Sequence, residues 1–296
     1  MLYQGLVPQK SKQEGADQHQ ECENQKGVNC LCAVLCLNKL LKHLLLGIIF
    51  FSIIIVMKKA VCVRNRTRLP PSLSAHRYTY EPWASLGRVS NNCYAYAVHD
   101  FEKFRFNKAQ PGERVGKNKG MHDYRKCGNL GMRVVADNPK KVYRTKACAT
   151  CKPGHYKIMM FVAPTNKFGN SNGDFHFYKQ HNEIEYKIKR GDTYKKIAGF
   201  FKIPESRIKR AVAKQLESKR LTPGKKIVFK ANVWSHKQGW GAGPLLTDAS
   251  GKAILNPIKS DKKYSYNYSK YCNSFCVKNR GINVGIANTN VMKKRL

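Results

Sequence analysis

One strand pair with a self-contained unit between its two strands limits most strongly how this chain can fold. The segment DFHFYKQHN starts at Asp174 with the aromatic composition of a strand. The segment NVWSHKQGW resumes that pattern at Asn232, after residues 183–230, which have a pattern of their own. Because the tip of a hairpin tolerates insertions best, the arrangement predicts an antiparallel strand pair in a host domain with an inserted unit at its tip.

The inserted unit, residues 183–230, has the pattern of two strands that enclose two helices. Apolar residues alternate at each end of the unit, as they do in strands with one buried face. Between the ends, a Gly-Asp-Thr turn supplies a helix cap, and Pro204 opens a second helix, where its missing donor costs little. The apolar positions that carry the pattern are Ile184, Tyr186, Ile188, Ile197, Phe200, Phe201, Ile208, Val212, Leu216, Ile227 and Phe229.

The residues YKIKRGDTYKKIAGFFKIPESRIKRAV and RLTPGKKIVF resemble the LysM domain along the whole unit. The resemblance implies binding of N-acetylglucosamine-containing glycans, such as peptidoglycan or chitin. It places the glycan groove between two loops, at Gly191, Asp192, Thr193, Tyr194, Leu221, Thr222 and Pro223. Residues 211–214 lack the Asn that LysM domains usually have there. The alternative is a LysM-like fold that serves as a spacer, since a fold does not by itself imply a function.

A cysteine and two histidines are candidates for a catalytic site in the host domain. Cys93 follows two Asn residues at the expected start of a helix, where free amides favour a thiolate. His176 and His236 lie on the two strands of the interrupted pair. A nucleophile, a base and a residue that orients the base form the arrangement that activates cysteine nucleophiles.

The order of these elements, a helix that carries the cysteine followed by two strands that carry the histidines, resembles the NlpC/P60 group of papain-like cysteine hydrolases. The resemblance implies an α+β fold, with an antiparallel sheet and a helix, and hydrolysis of amide bonds in cell-wall peptides. Two alternatives stay open. Cys93 and His176 can be packing residues in the core, and an acyltransferase or a thioesterase on the same scaffold has the same pattern.

Two cysteine pairs in the host domain allow three interpretations. They can form a four-thiolate zinc site with His155 as a further ligand, they can form disulfides, or they can stay free thiols. The pairs lack the turn residues of common zinc knuckles, so the sequence favours no metal and no other cofactor. The four residues are Cys148, Cys151, Cys272 and Cys276.

The charge of the chain is strongly positive, with 55 Lys and Arg against 18 Asp and Glu and a formal net charge of +37. Such a surface attracts polyanions without sequence specificity. The charge is spread along the whole chain, and no nucleic-acid motif accompanies it. Besides glycan binding coupled to hydrolysis, the open interpretations are a non-enzymatic wall-binding or structural protein, including a virion protein, and a protein that coats nucleic acid.

The N-terminal part has the organisation of a membrane-anchored protein. Residues 1–27 are polar and expected to be disordered, and residues 28–60 contain the uncharged run LLLGIIFFSIIIVM. Extended to residues 40–57, the run can span a bilayer once, if Lys42 reaches the interface. A signal peptide, a buried helix and a true start at Met57 are the alternatives. The expected location is a membrane, with a virion or a cell surface as further possibilities.

The remaining boundaries follow from composition. Residues 61–85 contain several prolines and are predicted to be a linker. The host domain is expected to occupy residues 86–182 and 231–285, on either side of the inserted unit. Residues 286–296 form a basic tail.

Overall fold

A computed structural model describes residues 41–46, 66–86, 88–102, 108–117, 124–163, 173–239, 241–264 and 266–285 of the chain. The chain divides into two units, Met1–Ala60 and Val61–Leu296. In the first unit, residues 41–46 are helical and their side chains are exposed. The rest of the predicted membrane anchor at residues 40–57 lies outside the described residues. Among the residues that are described, no helix has the length and apolar character needed to cross a bilayer.

The second unit is built on a six-stranded antiparallel sheet, in agreement with the expected mixture of helices and antiparallel strands. The strand order is β1-β6-β2-β3-β4-β5. The strands are β1 (Val142–Thr145), β2 (His155–Ala163), β3 (Asp174–Lys187), β4 (Lys226–Lys237), β5 (Pro244–Leu245) and β6 (Lys270–Lys278). The helices are α1 (Cys93–Val98), α2 (Cys127–Asp137), α3 (Tyr194–Phe201) and α4 (Glu205–Gln215), with a 3-10 turn at Glu113–Val115.

Strand β2 is the centre of the host domain because every one of its residues is buried. Apart from His155 and Lys157 near its start, its sequence HYKIMMFVA is apolar on both faces, as expected for a strand covered on both sides. Ile158 and Met160 face helices α1 and α2 in one core. Met159 and Phe161 face a second core, which is covered by loops rather than helices. The two faces of the sheet are therefore closed by different kinds of structure.

Residues 66–85 are packed against the body and do not form the predicted linker. Leu69 and Trp83 are buried, and Tyr78 forms a parallel bridge with Ile184 of β3. The prolines of this segment favour extended backbone, but burial of its large apolar residues against the sheet lowers the free energy of the folded chain. Proline content alone therefore predicted this boundary wrongly.

The inserted unit has the predicted βααβ order, and its strands are continuations of the strands of the body. Strands β3 and β4 pair from Tyr178 and His236 in the body to Lys187 and Lys226 in the unit. One extra residue on β4 shifts the register between His181 and Glu183, where the body ends and the unit begins. The core of the unit includes Tyr78 and Leu255 of the body. The unit is therefore docked on its host and is best studied in the full chain.

Candidate functional site

Two loops of the inserted unit lie side by side because the strands that end in them stay paired to the last residue. The amide of Ile188 donates to the carbonyl oxygen of Lys225 at 2.9 Å, and the amide of Gly224 donates to the carbonyl oxygen of Ile188 at 2.8 Å. Residues 189–194 and 217–224 therefore leave the hairpin from the same end. All seven residues of the predicted groove are in these loops.

The first loop is held rigid by the carboxylate of Asp192. That carboxylate accepts from the amide of Lys189 at 2.7 Å and from the hydroxyl of Tyr186 at 2.9 Å. Burial and the neighbouring Asp192 raise the pKa of Tyr186, so its hydroxyl keeps the proton that it donates. Gly191 has a φ of 80°, a conformation that favours glycine. Both hydrogen-bond donors to this carboxylate are groups of the protein, so Asp192 fixes the shape of the loop on one side of the groove.

Thr193 begins helix α3 and fixes the position of Tyr194. Its hydroxyl accepts from the amide of Lys196 at 3.1 Å, which is the usual bond of an N-cap threonine. Tyr194 packs partly against the core of the unit, as does Leu221 from the second loop. The two loops therefore rest on one common core, and in the second loop Thr222 is half-buried and Pro223 is exposed.

The position where LysM domains usually have an Asn is used for packing in this chain. Ala211 and Val212 are buried in the core of the unit. One turn later, Gln215 accepts from the amide of Val228 at 2.8 Å and donates to its carbonyl oxygen at 2.7 Å. Sequence reasoning missed Gln215, although a polar residue at the end of a helix beside a strand edge is a signal for such a role.

These observations define a module of two strands and two helices that presents two fixed loops at one end. Residues 186–230 match the family described as the LysM domain, so the chain contains a LysM domain. Searches among curated proteins and among solved structures found no match to the chain. The family match stops at the unit, and no comparison supports the resemblance of the body to the NlpC/P60 group.

In the body, the structure brings His176 and His236 together. Nε2 of His176 lies 2.8 Å from Nδ1 of His236. Nε2 of His236 lies 3.0 Å from the carbonyl oxygen of Thr247, which can only accept. His236 therefore carries its proton on Nε2, and its Nδ1 accepts from Nε2 of His176. With this assignment, Nδ1 of His176 carries no proton and has no hydrogen-bond partner among the described residues.

Both rings are neutral at neutral pH. Burial lowers the pKa of His176, and the nearby His236 lowers it further. Burial also lowers the pKa of His236 to about 4, although the bond to Thr247 acts in the opposite direction. A neutral ring with a free nitrogen can accept a proton, which is the property that a general base needs.

Cys93 approaches this pair from the opposite face of the sheet. It packs with Phe175 and Phe177, whereas His176 faces the other way, because neighbouring residues of a strand alternate between faces. Within the described part of the chain, its Sγ donates weakly to the carbonyl oxygen of Phe175, at 3.8 Å. Cys93 and His176 can therefore meet only around the open end of β3.

The expectation that the helix start favours a thiolate differs from what the structure shows. Burial raises the pKa of the Cys93 thiol to about 12, and the charge of Asp174 contributes in the same direction. Helix α1 has only six residues, so its dipole is small and does not offset the loss of solvation. Without a ligand, Cys93 is a protonated thiol.

A pocket of about 370 Å³ opens at that end of β3, and both Cys93 and His176 line it. This volume is within the range of small-molecule sites. Asp174 and Tyr268 also line the pocket, and sequence reasoning missed Asp174. The Tyr268 hydroxyl donates to Oδ2 of Asp174 at 2.6 Å, and its ring stacks on His176 at 4.7 Å. The tyrosine-rich composition after residue 263 is the sequence signal for Tyr268, because such a segment can border a sugar-binding cleft.

Cysteines of both pairs are oxidised to disulfides with more distant cysteines, so the alternative of a four-thiolate zinc site is wrong. Cys272 is bonded to Cys127, and Cys276 is bonded to Cys151. Cys148 is also disulfide-bonded. Sulfurs in disulfides are not thiolates and do not supply a zinc site. In the part of the chain that is described, there is no group of His, Cys, Asp and Glu that could hold a metal ion.

Proposed function

We propose that this protein binds N-acetylglucosamine-containing glycan, peptidoglycan or chitin, in the groove between residues 191–194 and 221–223. The observation that carries the proposal is the LysM match over residues 186–230, together with the pairing of the strand ends that sets the two loops side by side. The hydrogen bonds of Asp192 and Thr193 order the first loop before a ligand arrives, which lowers the entropic cost of binding.

Charge adds an unspecific attraction to wall polymers. Residues 183–230 contain fifteen Lys and Arg and five Asp and Glu. Anionic polymers in bacterial walls would be held by this surface even without a functional groove. A test of the groove therefore needs a neutral glycan and a salt concentration that screens exposed charges.

The test is retention of the full chain on insoluble chitin in high salt, with cellulose as a neutral polymer without N-acetyl groups. We expect retention on chitin and not on cellulose. Thr222→Arg places a long side chain at the groove and should weaken chitin binding by at least about tenfold, equivalent to about 1.4 kcal/mol. Ser206→Arg adds the same side chain at the exposed start of α4 and should bind like the unchanged protein.

Equal retention of the Thr222→Arg and Ser206→Arg variants would contradict a groove at this position. Equal retention of the unchanged protein on chitin and cellulose would contradict recognition of the N-acetyl group. In either case, the LysM-like fold would be a spacer and not a binding module.

A second candidate function is hydrolysis of an amide bond in wall peptides at the pocket of the body. It is favoured by the hydrogen bond between His176 and His236 and by the pocket that Cys93 shares with His176. In this reaction Nδ1 of His176 takes the thiol proton, Sγ of Cys93 attacks the carbonyl carbon, and the proton passes to the leaving amine. Water then hydrolyses the thioester. For this reaction, the thiol of Cys93 and the ring of His176 have to meet in the pocket at the open end of β3.

Release of soluble peptides from peptidoglycan tests this candidate. We expect Cys93→Ala and His176→Ala to abolish release, and His236→Gln, which keeps a hydrogen-bonding side chain beside His176, to retain part of it. The Thr222→Arg variant should lose activity on insoluble wall but keep it on soluble wall fragments. Release that persists in Cys93→Ala would remove Cys93 as the nucleophile.

The disulfides support a role outside a reducing cytosol, at a cell surface or in a virion, with residues 40–57 as an anchor. A purely structural wall-binding protein would retain chitin binding and release no peptide. A protein that coats nucleic acid would bind DNA with a steep salt dependence, so DNA would displace it from chitin in low salt and not in high salt.

A further inference from the structure

The pocket of the body has a wall of tyrosines that neither the LysM match nor the proposed catalytic residues explain. Tyr264, Tyr266 and Tyr268 line the pocket from the segment before β6, and Tyr124 lines it from the segment before α2. Tyr124, Tyr264 and Tyr266 are half-buried, so each keeps part of its ring accessible.

The wall is fixed in position by its own hydrogen bonds and ring contacts. Tyr268 is held by Asp174 and by its stacking on His176, and the ring of Tyr266 stacks on Tyr268 at 5.9 Å with an interplanar angle of 27°. The hydroxyl of Tyr264 lies 3.2 Å from Nε2 of His236. A surface that is ordered before binding loses little conformational entropy when a ligand arrives.

Tyr124 adds a further aromatic ring to the lining of the pocket. Tyr124 donates from its hydroxyl to Oε1 of Gln110 at 2.9 Å, and its ring contacts Phe175 edge to face at 5.1 Å. Gln238 and Asp174 add polar groups to the lining. The pocket therefore combines flat apolar faces with polar groups, the combination that a ring with one apolar face and hydroxyls at its edge requires.

We propose that this pocket is a second saccharide site, which holds a pyranose ring of an N-acetylated glycan against Tyr266, with Tyr268 supporting Tyr266 from behind, beside Cys93 and His176. The choice of ligand rests on the proposed glycan function, whereas the site itself rests on the geometry of the pocket. If the pocket is also catalytic, the site places a sugar next to the scissile bond and selects sugar-linked amides over amides within a peptide.

The pocket and the LysM groove are too far apart to share a short ligand. His176 lies near the start of β3, and Lys187 at its end leads into the first loop of the groove. At about 3.3 Å per residue, roughly 35 Å of strand separate the two. A ligand of three sugar rings is shorter than this separation, so the two sites bind it independently and can be observed separately.

Signals of the tyrosine rings can report both sites in one titration of the full chain. Selective labelling of the tyrosines for NMR gives Tyr266 and Tyr264 as reporters of the pocket and Tyr194 as the reporter of the groove. Titration with N-acetylglucosamine trimer should shift the signals of Tyr264 and Tyr266, and titration with cellotriose should not. Tyr266→Ala should abolish the shift of Tyr264 by the trimer, and Tyr266→Phe should preserve it.

The outcomes separate this proposal from the proposed LysM function. The Thr222→Arg variant should lose the shift of Tyr194 and keep the shifts of the pocket. Shifts at Tyr264 and Tyr266 without one at Tyr194 would support the pocket and contradict the groove. A shift at Tyr194 alone, or equal shifts of Tyr264 with trimer and cellotriose, would overturn the saccharide site of the body.

Discussion

Removal of both described disulfides should lower the free energy of unfolding by about 8 to 9 kcal/mol, whereas removal of either one should cost about 3.5 kcal/mol. The bridges join residues that are 145 and 125 positions apart, Cys127 with Cys272 and Cys151 with Cys276. Each closes a long loop on its own. When one bridge is present, the path between the other two cysteines runs through it and shortens to roughly 30 residues, so the second closure costs less chain entropy.

Denaturant unfolding of the full chain without reductant measures these losses. The variants are Cys127→Ala with Cys272→Ala, Cys151→Ala with Cys276→Ala, and all four together. Cys93→Ala is the matched control, since it removes a buried thiol that is in no disulfide. Additive losses, in which the fourfold variant loses only the sum of the two pairs, would contradict the account of overlapping loops.

Acidification from pH 7 to 4 should destabilise the body by several kcal/mol. A cluster beside β3 contains the buried Lys179 and His181, the half-buried His76 and the exposed His99. Burial lowers the pKa of His76 to about 3, and Lys179 contributes in the same direction. Burial also lowers the pKa values of His99, His181 and Lys179. Nζ of Lys179 lies 2.7 Å from Nδ1 of His99 and over the ring of Tyr96, and the ring nitrogens of His181 contact a hydroxyl and a carbonyl oxygen.

The direction of this pH dependence follows from proton binding. The folded pKa of His76 lies below its ordinary value of 6.5, so the unfolded chain binds more protons at any pH between the two values. Stability is therefore complete above about pH 6.5 and is lost as the pH falls toward 3. His76 alone contributes about 3 kcal/mol between pH 7 and 4, and the other members of the cluster add to the loss.

Thermal unfolding between pH 4 and 8 tests this expectation, with Lys179→Met as the informative variant. Methionine fills the space of the aliphatic stem among Trp83, Tyr96 and Tyr156 without a charge. Removal of the amine takes away one cause of the low pKa of His76, so the pH dependence should become shallower. An unfolding temperature that does not change from pH 7 to 4 would mean that the cluster is solvated and not buried.

The LysM domain could be predicted from the sequence because its information is local. The alternation at its ends, the cap at Thr193 and the proline at the start of α4 all lie within residues 183–230, and each specifies one element. The antiparallel pairing of its two strands could also be predicted from the sequence, because the body resumes its strand pattern directly after the unit. The contact of the unit with Tyr78 could not be predicted, because that residue belongs to a proline-containing segment that looked like a linker.

The site in the body could be predicted only in part because it depends on contacts between distant residues. The facing of His176 and His236 followed from the hairpin, which fixes the register of its strands. The position of Cys93 on the other face depends on which side of the sheet helix α1 covers, and no local pattern specifies that. Asp174 and Tyr268 are 94 positions apart, so their pairing exists only in the folded chain.

Cysteine pairing shows the same limit. Spacing along the chain does not fix which cysteines pair, and Cys127, outside the two cysteine pairs, is a partner in one of the described disulfides. Cys127 looked isolated in the sequence, yet it lies at the start of α2 and bonds to Cys272 of β6. The spatial neighbours on β6 decide the pairing, and they are set by the strand order of the sheet.

Hydrogen exchange of the full chain with and without a soluble N-acetylglucosamine oligomer shows where the ligand binds. We expect slower exchange in the two loops at residues 189–194 and 217–224, and no such slowing in the Thr222→Arg variant or with an unacetylated glucose oligomer. Unchanged exchange in both loops at ligand concentrations that saturate the protein would contradict the assignment of this LysM domain as the glycan-binding site.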